Sequence, residues 1–232
     1  MYRLRSWFSS KAKNLSHYPP TLNLLTCALP EADKWVLSEF VLDKLIRVVG
    51  VRPYPLDELL LMCSTLAYFK PDIVIEWGTH LGKSARIFYE LVTYLNLETK
   101  IHSVDLPPAV EHVENIHIVN QRARFVRNLP VILHLGDGLT VARKLLGEEE
   151  ITLPLFFLDG DHSYASVHNE LSGIKSMAPR AVVLVHDTFF QGSESGYNCG
   201  PYQALSEFVI EHHLPIQSTN LGLPGMSLTY WL

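Results

Sequence analysis

The chain has 232 residues, 47% of them hydrophobic, and a formal charge of -5 at pH 7. That length and apolar share support one substantial core and permit one or two domains, while the acidic balance gives no electrostatic case for nucleic-acid binding. No apolar run approaches the roughly 20 residues that span a bilayer, which argues against a membrane protein.

Cys27, Cys63 and Cys199 show no close-spaced pairing and read as reduced thiols, and the first thirty residues lack the apolar stretch of a secretory signal. A cytoplasmic protein is the expectation. Residues 1–30 are polar and proline-bearing, with a small basic cluster at Arg3, Arg5, Lys11 and Lys13, and read as a mobile arm or a partly ordered lid. Asp33 can cap a helix whose apolar residues run from Trp35 to Val48, with Gly50 as its stop. After Arg52-Pro53-Tyr54-Pro55 a second helix is predicted over Leu56–Phe69, with Asp57 and Glu58 in its first turn, where carboxylates favour the helix dipole.

Strands and helices then alternate. Strand Ile73–Glu76 leads to a helix over Leu81–Leu95, and strand Ile101–Val104, ending at Asp105, to a weaker helical stretch over Val119–Asn128. Strand Val131–Leu135 is followed by Gly136-Asp137-Gly138 and a helix through Leu146. Strand Leu155–Leu158 ends at Asp159 and precedes a helix over Ser163–Met177; strand Ala181–Val185 ends at His186-Asp187. A glycine- and serine-rich loop, Gly192–Gly200, leads into a helix from Pro201 to His212. Strands around Ile216–Thr219 and Met226–Trp231 flank a hairpin-like connection, Gly222-Leu223-Pro224-Gly225.

This alternation implies right-handed crossovers and an open α/β sheet with helices on both faces, whose ligand crevice lies outside the carboxyl ends of the strands. Four of those ends carry an acid, Glu76, Asp105, Asp159 and Asp187, and Asp137 lies in the turn after the third strand. A single polar strand end only reflects contact with solvent; the repetition points to a site.

The stretch Asp72–Arg86 decides what that site binds. A short apolar strand, a turn framed by Gly78 and Gly82, and a helix start offer backbone N–H groups to an anionic ligand group. A dinucleotide site would want Gly-x-Gly-x-x-Gly, whereas Glu76, Gly78, Gly82 and Ser84 form Glu-x-Gly-x-x-x-Gly-x-Ser. Glu76 reads as a negative charge beside the turn that would repel a pyrophosphate, which argues against a nicotinamide-dependent oxidoreductase on a similar sheet. A sulfonium-bearing amino acid fits better. Its ammonium meets acidic or carbonyl groups, and its carboxylate meets turn N–H groups and the Ser84 hydroxyl. Asp105, at the end of the next strand, can accept both hydroxyls of a ribose.

Five blocks in order, Val74 to Ser84, Ser103-Val104-Asp105, Gly136-Asp137-Gly138, Phe157 to Tyr164 and Leu184 to Thr188, make the chain resemble the class I S-adenosylmethionine-dependent methyltransferases. Within them it is similar to the small O-methyltransferases related to the catechol and caffeoyl-CoA enzymes and to the sugar- and antibiotic-tailoring enzymes. The resemblance covers about residues 56–232. It implies a Rossmann-like, seven-stranded, mostly parallel sheet with an antiparallel last strand, preceded by an N-terminal arm and helical extension over 1–55. It also implies that Glu76, Gly78, Thr79, His80, Gly82 and Ser84 surround the methionine part of S-adenosylmethionine. Asp105 would hold the ribose, Asp137 and Gly138 would lie by the adenine, and Asp159 would serve both cofactor and acceptor.

Transfer to a hydroxyl requires in-line alignment and loss of a proton. His162, in Asp159-Gly160-Asp161-His162, matches in position the catalytic lysine of the catechol-type enzymes and is the candidate general base, with Asp159 beside it. A surface or helix-capping histidine is the alternative. In the metal-dependent relatives a divalent ion sits on a carboxylate after strand four and an Asp-Asn pair after strand five. Asp159 and Asp187 stand at two of those places, with Thr188 where Asn is expected, so Mg²⁺ is implied only in part. His186 is either a further ligand or a polar strand-end residue. Asp161 either orients His162 or caps the following helix, and Tyr197 and Asn198 are candidate substrate contacts. The expected partner is a small-molecule acceptor, with neither nucleic acid nor membrane. The alternative is a non-catalytic S-adenosylmethionine-binding protein. The apolar N-terminal helices leave homo-oligomerisation open.

Overall fold

The computed structural model describes residues 32–110, 121–148, 150–219 and 221–232. The arm or lid expected over 1–30 lies outside them. The chain enters through α1 (Lys34–Phe40), capped by the Asp33 carboxylate, which accepts from Trp35 N and Val36 N. A π-helical segment, Val41–Leu45, and α2 (Ile46–Val49) continue it until Gly50, at φ 75°, turns the chain. α3 (Leu56–Phe69) follows Pro55, and its buried face includes Glu58, Leu59, Met62, Cys63, Leu66 and Phe69.

The sheet holds β1 (Ile73–Trp77), β2 (Lys100–Asp105), β3 (Val131–Leu135), β4 (Pro154–Leu158), β5 (Ala181–His186), β6 (Ile216–Thr219) and β7 (Met226–Trp231), in the order β3-β2-β1-β4-β5-β7-β6. The first five run parallel; β7 is antiparallel to β5 and pairs antiparallel with β6. The seven-stranded Rossmann-like expectation holds, with β1 one residue longer than expected, through Trp77. β1 and β4 lie side by side with Trp77 opposite Leu158, and every residue of both is buried. The strand order reverses direction between these two, so a crevice opens at their carboxyl ends.

Side chains alternate between the two faces of the sheet. Val74, Leu155, Phe157, Val182 and Leu184 face a layer made by α1 to α3 and α4 (Lys83–Leu95). Ile73, Ile75, Trp77, Phe156, Leu158, Val183 and Val185 face α5 (Gly138–Glu148), α6 (Tyr164–Met177) and α7 (Gly200–Glu211). Continuous apolar runs are what a doubly covered parallel sheet demands.

One predicted helix does not form. Among the described residues of the Val119–Asn128 stretch, 121–128 are turns. Ala123 N donates to His80 O and Phe125 N to Leu81 O, and Ala123 takes φ 55°. Those N–H groups serve the β1–α4 loop instead of a carbonyl one helical turn back, so the helical spacing is overridden by tertiary pairing. The same loop delays α4 to Lys83, two residues after the predicted start.

Candidate active site

A cavity of about 1420 Å³ opens at the carboxyl ends of β1, β2, β4 and β5. Its donor-side wall is the β1–α4 loop. Gly78 takes φ 99°, and a Cβ there would lie 2.0 Å from the Asp159 carbonyl oxygen, so only glycine lets the β1 and β4 exits cross. Gly82, at φ 80°, is pressed against Val126 and Ala123. Gly78, Thr79, His80 and Ser84 line the cavity; Glu76 and Gly82 do not.

Glu76 is wholly enclosed. Ser103 Oγ donates to its Oε1 at 2.5 Å, and the Ser103 and Thr79 hydroxyls share a further hydrogen bond of 2.5 Å. Burial pushes the Glu76 carboxyl up to about 8, against the opposing hydrogen bonds of Ser103 and Ser84. The carboxyl therefore keeps a proton at neutral pH and braces Thr79 from behind. Glu76 is thus not the open charge beside the turn expected from the sequence; enclosed and largely protonated, it repels a pyrophosphate little.

Asp105 faces the cavity with Oδ1 accepting from Leu106 N at 3.0 Å and Oδ2 paired to Arg122 Nε at 3.1 Å. Asp137 Oδ1 accepts from Thr140 N and Thr140 Oγ1 at 2.8 and 2.7 Å, bracing the first turn of α5. Gly138 meets the Trp77 indole so closely that a Cβ would sit 2.0 Å from Nε1. Both Asp137 and Gly138 line the cavity, and so does Trp77.

Across the cavity, the β4 and β5 exits bring Asp159, His162, His186 and Asp187 together, with their donor atoms within 4.8 Å of one another. His162 Nε2 lies 2.8 Å from Asp187 Oδ2 and 3.5 Å from Asp159 Oδ1. Nε2 therefore faces two carboxylates. Asp187, at φ 58°, turns the chain out of β5 so that its carboxylate meets His162. Tyr197 Oη donates to its Oδ1 and Asn198 Nδ2 to its Oδ2, both at 2.7 Å. Burial would raise the Asp187 pKa, but the His162 hydrogen bond and the His186 charge bring it below the usual carboxylate range.

His186 lies between acids on both sides. Nδ1 donates to Asp159 Oδ1 at 2.8 Å and Nε2 to Glu58 Oε2 at 3.1 Å. Burial would lower its pKa, but the charge of Asp159 and the hydrogen bonds to Asp159 and Glu58 outweigh burial and raise it to about 10. A ring raised in this way holds both protons at neutral pH, so each nitrogen donates. Tyr54 Oη donates to the other Asp159 oxygen at 2.6 Å. Burial would likewise raise Asp159, and the His186 charge with hydrogen bonds from His162, His186 and Tyr54 holds it far below its ordinary value.

Three further groups named from the sequence have the following contacts. Asp161 Oδ1 accepts from Ser163 N, and Ser163 is the cap of α6. Thr188 turns away, its hydroxyl 2.7 Å from Ser227 Oγ. Tyr197 and Asn198 are joined to Asp187. Tyr54 and Glu58 had not been singled out for the site. Glu58 left one signal, its place on the same helical stripe as Met62, Thr65 and Phe69.

Residues 75–188 match the family model described as a methyltransferase domain. A curated relative, the uncharacterized protein y4gI of Sinorhizobium fredii, is 29% identical over 173 residues; the match covers 70% of this chain but 17% of that protein. Among solved structures, the fold is similar to the S-adenosylhomocysteine-bound methyltransferase PaMTH1 of Podospora anserina (TM-score 0.53, 16% identity, 90% of this chain and 100% of that one). It is also similar to TomG of Streptomyces achromogenes, an O-methyltransferase of tomaymycin synthesis in complex with S-adenosylmethionine (0.52, 15%, 87% and 91%). A third likeness is the O-methyltransferase of Bacillus cereus in complex with S-adenosylhomocysteine (0.51, 15%, 88% and 94%). At these identities the likeness to solved structures is one of fold.

Proposed function

Because residues 75–188 match a methyltransferase-domain model, we propose that the chain is a class I S-adenosylmethionine-dependent methyltransferase and that it methylates a hydroxyl of a small molecule, a sugar or a natural product. The observation that carries this reading is the His162–Asp187 pair, which faces the Gly78–Ser84 loop across one cavity. When bound, S-adenosylmethionine supplies an electrophilic methyl on a sulfonium. Gly78, Thr79, His80 and Ser84 hold its methionine part, with Glu76 and Gly82 fixing the loop from behind. Asp105 takes the ribose hydroxyls once Arg122 yields, and Asp137 and Gly138 flank the adenine.

His162 receives the acceptor proton, while Asp187, 2.8 Å from Nε2, stabilises the imidazolium that forms, the division of labour of a base and its orienting carboxylate. Asp159 sits between donor and acceptor, where it keeps His162 and His186 in place. The donor set does not fit Mg²⁺. All four carboxylate oxygens of Asp159 and Asp187 already accept from protein donors, the Thr188 hydroxyl is engaged with Ser227, and His186 brings a cation into the space between the acids. A hard, oxygen-preferring ion there would have to compete with the His186 cation and with these donors for the carboxylate oxygens. The reading is therefore of a metal-independent transfer.

Calorimetry with S-adenosylhomocysteine tests the donor site, and saturable one-to-one binding is expected; no heat of binding at millimolar ligand overturns the reading. Methyl transfer from labelled S-adenosylmethionine into a panel of phenols, sugars and glycosides tests the acceptor class. Activity that disappears in EDTA and returns with Mg²⁺ would reinstate the metal.

A further inference from the structure

Glu58 is 1% exposed, yet it is a carboxylate on the apolar face of α3. Both of its oxygens are used. Oε1 accepts from Gly225 N at 2.8 Å, and Oε2 accepts from His186 Nε2 at 3.1 Å. From His186 the chain of contacts passes through Nδ1 to Asp159 Oδ1, and from there to His162. Tyr54 closes the arrangement, with its hydroxyl on Asp159 Oδ2 and its ring edge-on to His186, centroids 5.0 Å apart. The hairpin is tied into the same joint. Thr188 N and Phe189 N donate to Gly225 O and Pro224 O, and Leu223 and Pro224 line the cavity. Gly225 itself admits no side chain, since a Cβ would lie 2.5 Å from Phe189 N.

A buried carboxylate is costly unless its partners need it, and an amide would satisfy Gly225 N equally well. The need arises at His186, whose two nitrogens both donate. We propose that Glu58 is a positioning residue for the acceptor end of the site: it fixes the ring of His186, and through that ring aims the Asp159 carboxylate at His162. Glu58, Tyr54 and Gly225 all lie outside the matched stretch 75–188. Residues before and after the matched stretch thus complete the site. The inference rests on the methyl-transfer reading above for its catalytic meaning, and on geometry alone for the clamp.

Glu58→Gln keeps the acceptor for Gly225 N and removes the second carboxylate from His186. Long-range proton–nitrogen spectra of histidine-labelled protein read the consequence, with His162→Gln and His186→Asn spectra assigning the two rings. In the wild-type chain His186 is expected to keep both ring protons in slow exchange through neutral pH. In Glu58→Gln that signature is lost and the His162 resonances shift as well, while Asp57→Asn leaves both unchanged. Where an acceptor is in hand, turnover falls about 10- to 100-fold, with S-adenosylhomocysteine affinity within about twofold of wild type. A folded Glu58→Gln chain with unmoved His162 resonances overturns the proposal. If that variant fails to fold, the wild-type spectra decide: a His186 that titrates like a free imidazole overturns it too. Failure of the wild-type chain to bind S-adenosylhomocysteine would instead overturn the donor reading and leave the clamp to be judged by the spectra.

Discussion

His162 owes its place to two short exits. The β4 exit carries it three residues beyond Asp159, and the left-handed turn at Asp187 brings the β5 carboxylate to its Nε2. Replacing it with Gln keeps a donor for Asp187 but leaves no group that takes a proton near neutrality. Turnover of His162→Gln is expected to fall by about 10²- to 10⁴-fold, with S-adenosylhomocysteine affinity little changed. Equal loss of affinity would mean that the residue shapes the donor pocket instead. Asp187→Asn tests the partner. It keeps an acceptor for Nε2 but withdraws the charge that stabilises the imidazolium, so turnover should drop while the fold survives.

At the scale of elements, the β1 and β4 exits cross backbone against backbone. Gly78→Ala would place a methyl 2.0 Å from the Asp159 carbonyl oxygen in a backbone conformation that L residues rarely adopt. One of the two exits must move, and both carry site residues. The expected cost exceeds about 4 kcal/mol, the range reserved for strain and backbone clashes, and is read by denaturant unfolding. An alanine variant of near wild-type stability would show that the exits do not cross this closely. The central strands β1, β4 and β5 were legible in the sequence because each is an apolar run, buried on both faces, that ends at Gly, Pro or an acid. The 121–128 segment was not, because its N–H groups are claimed by His80 and Leu81, residues that no local pattern connects to it. The same divide runs through the site. Asp159, His162 and Asp187 stand at neighbouring strand ends, which the alternation of elements already places together. Tyr54 and Glu58 arrive from 105 and 128 residues away, and a carboxylate in the first turn of a helix has a local explanation in the dipole that conceals a tertiary one.

For the whole molecule, the buried ionisable groups set a pH window for stability. Asp159 and Asp187 have lowered pKa values, so their contribution is present above the ordinary carboxylate value and is lost as pH falls through their folded values. His186 is raised from 6.5 to about 10, so its contribution is complete below pH 6.5 and is lost as pH rises towards 10. Glu76 is raised from 4.5 to about 8. Across that interval the folded chain holds a proton that the unfolded chain releases, so rising pH favours unfolding there as well. The melting temperature is therefore expected to peak in mildly acidic solution and to decline towards pH 9. Each group contributes at most about 1.4 kcal/mol per pH unit within its own window. Glu76→Gln separates the two alkaline contributions. A neutral amide in the same pocket can still accept from Ser103, so the decline between pH 4.5 and 6.5 should flatten and that between 6.5 and 8 should ease, while the decline from 6.5 towards 10 that belongs to His186 persists. A slope between pH 4.5 and 8 that is unchanged in Glu76→Gln would mean that Glu76 is ionised in the folded chain, and that the donor wall carries a charge after all.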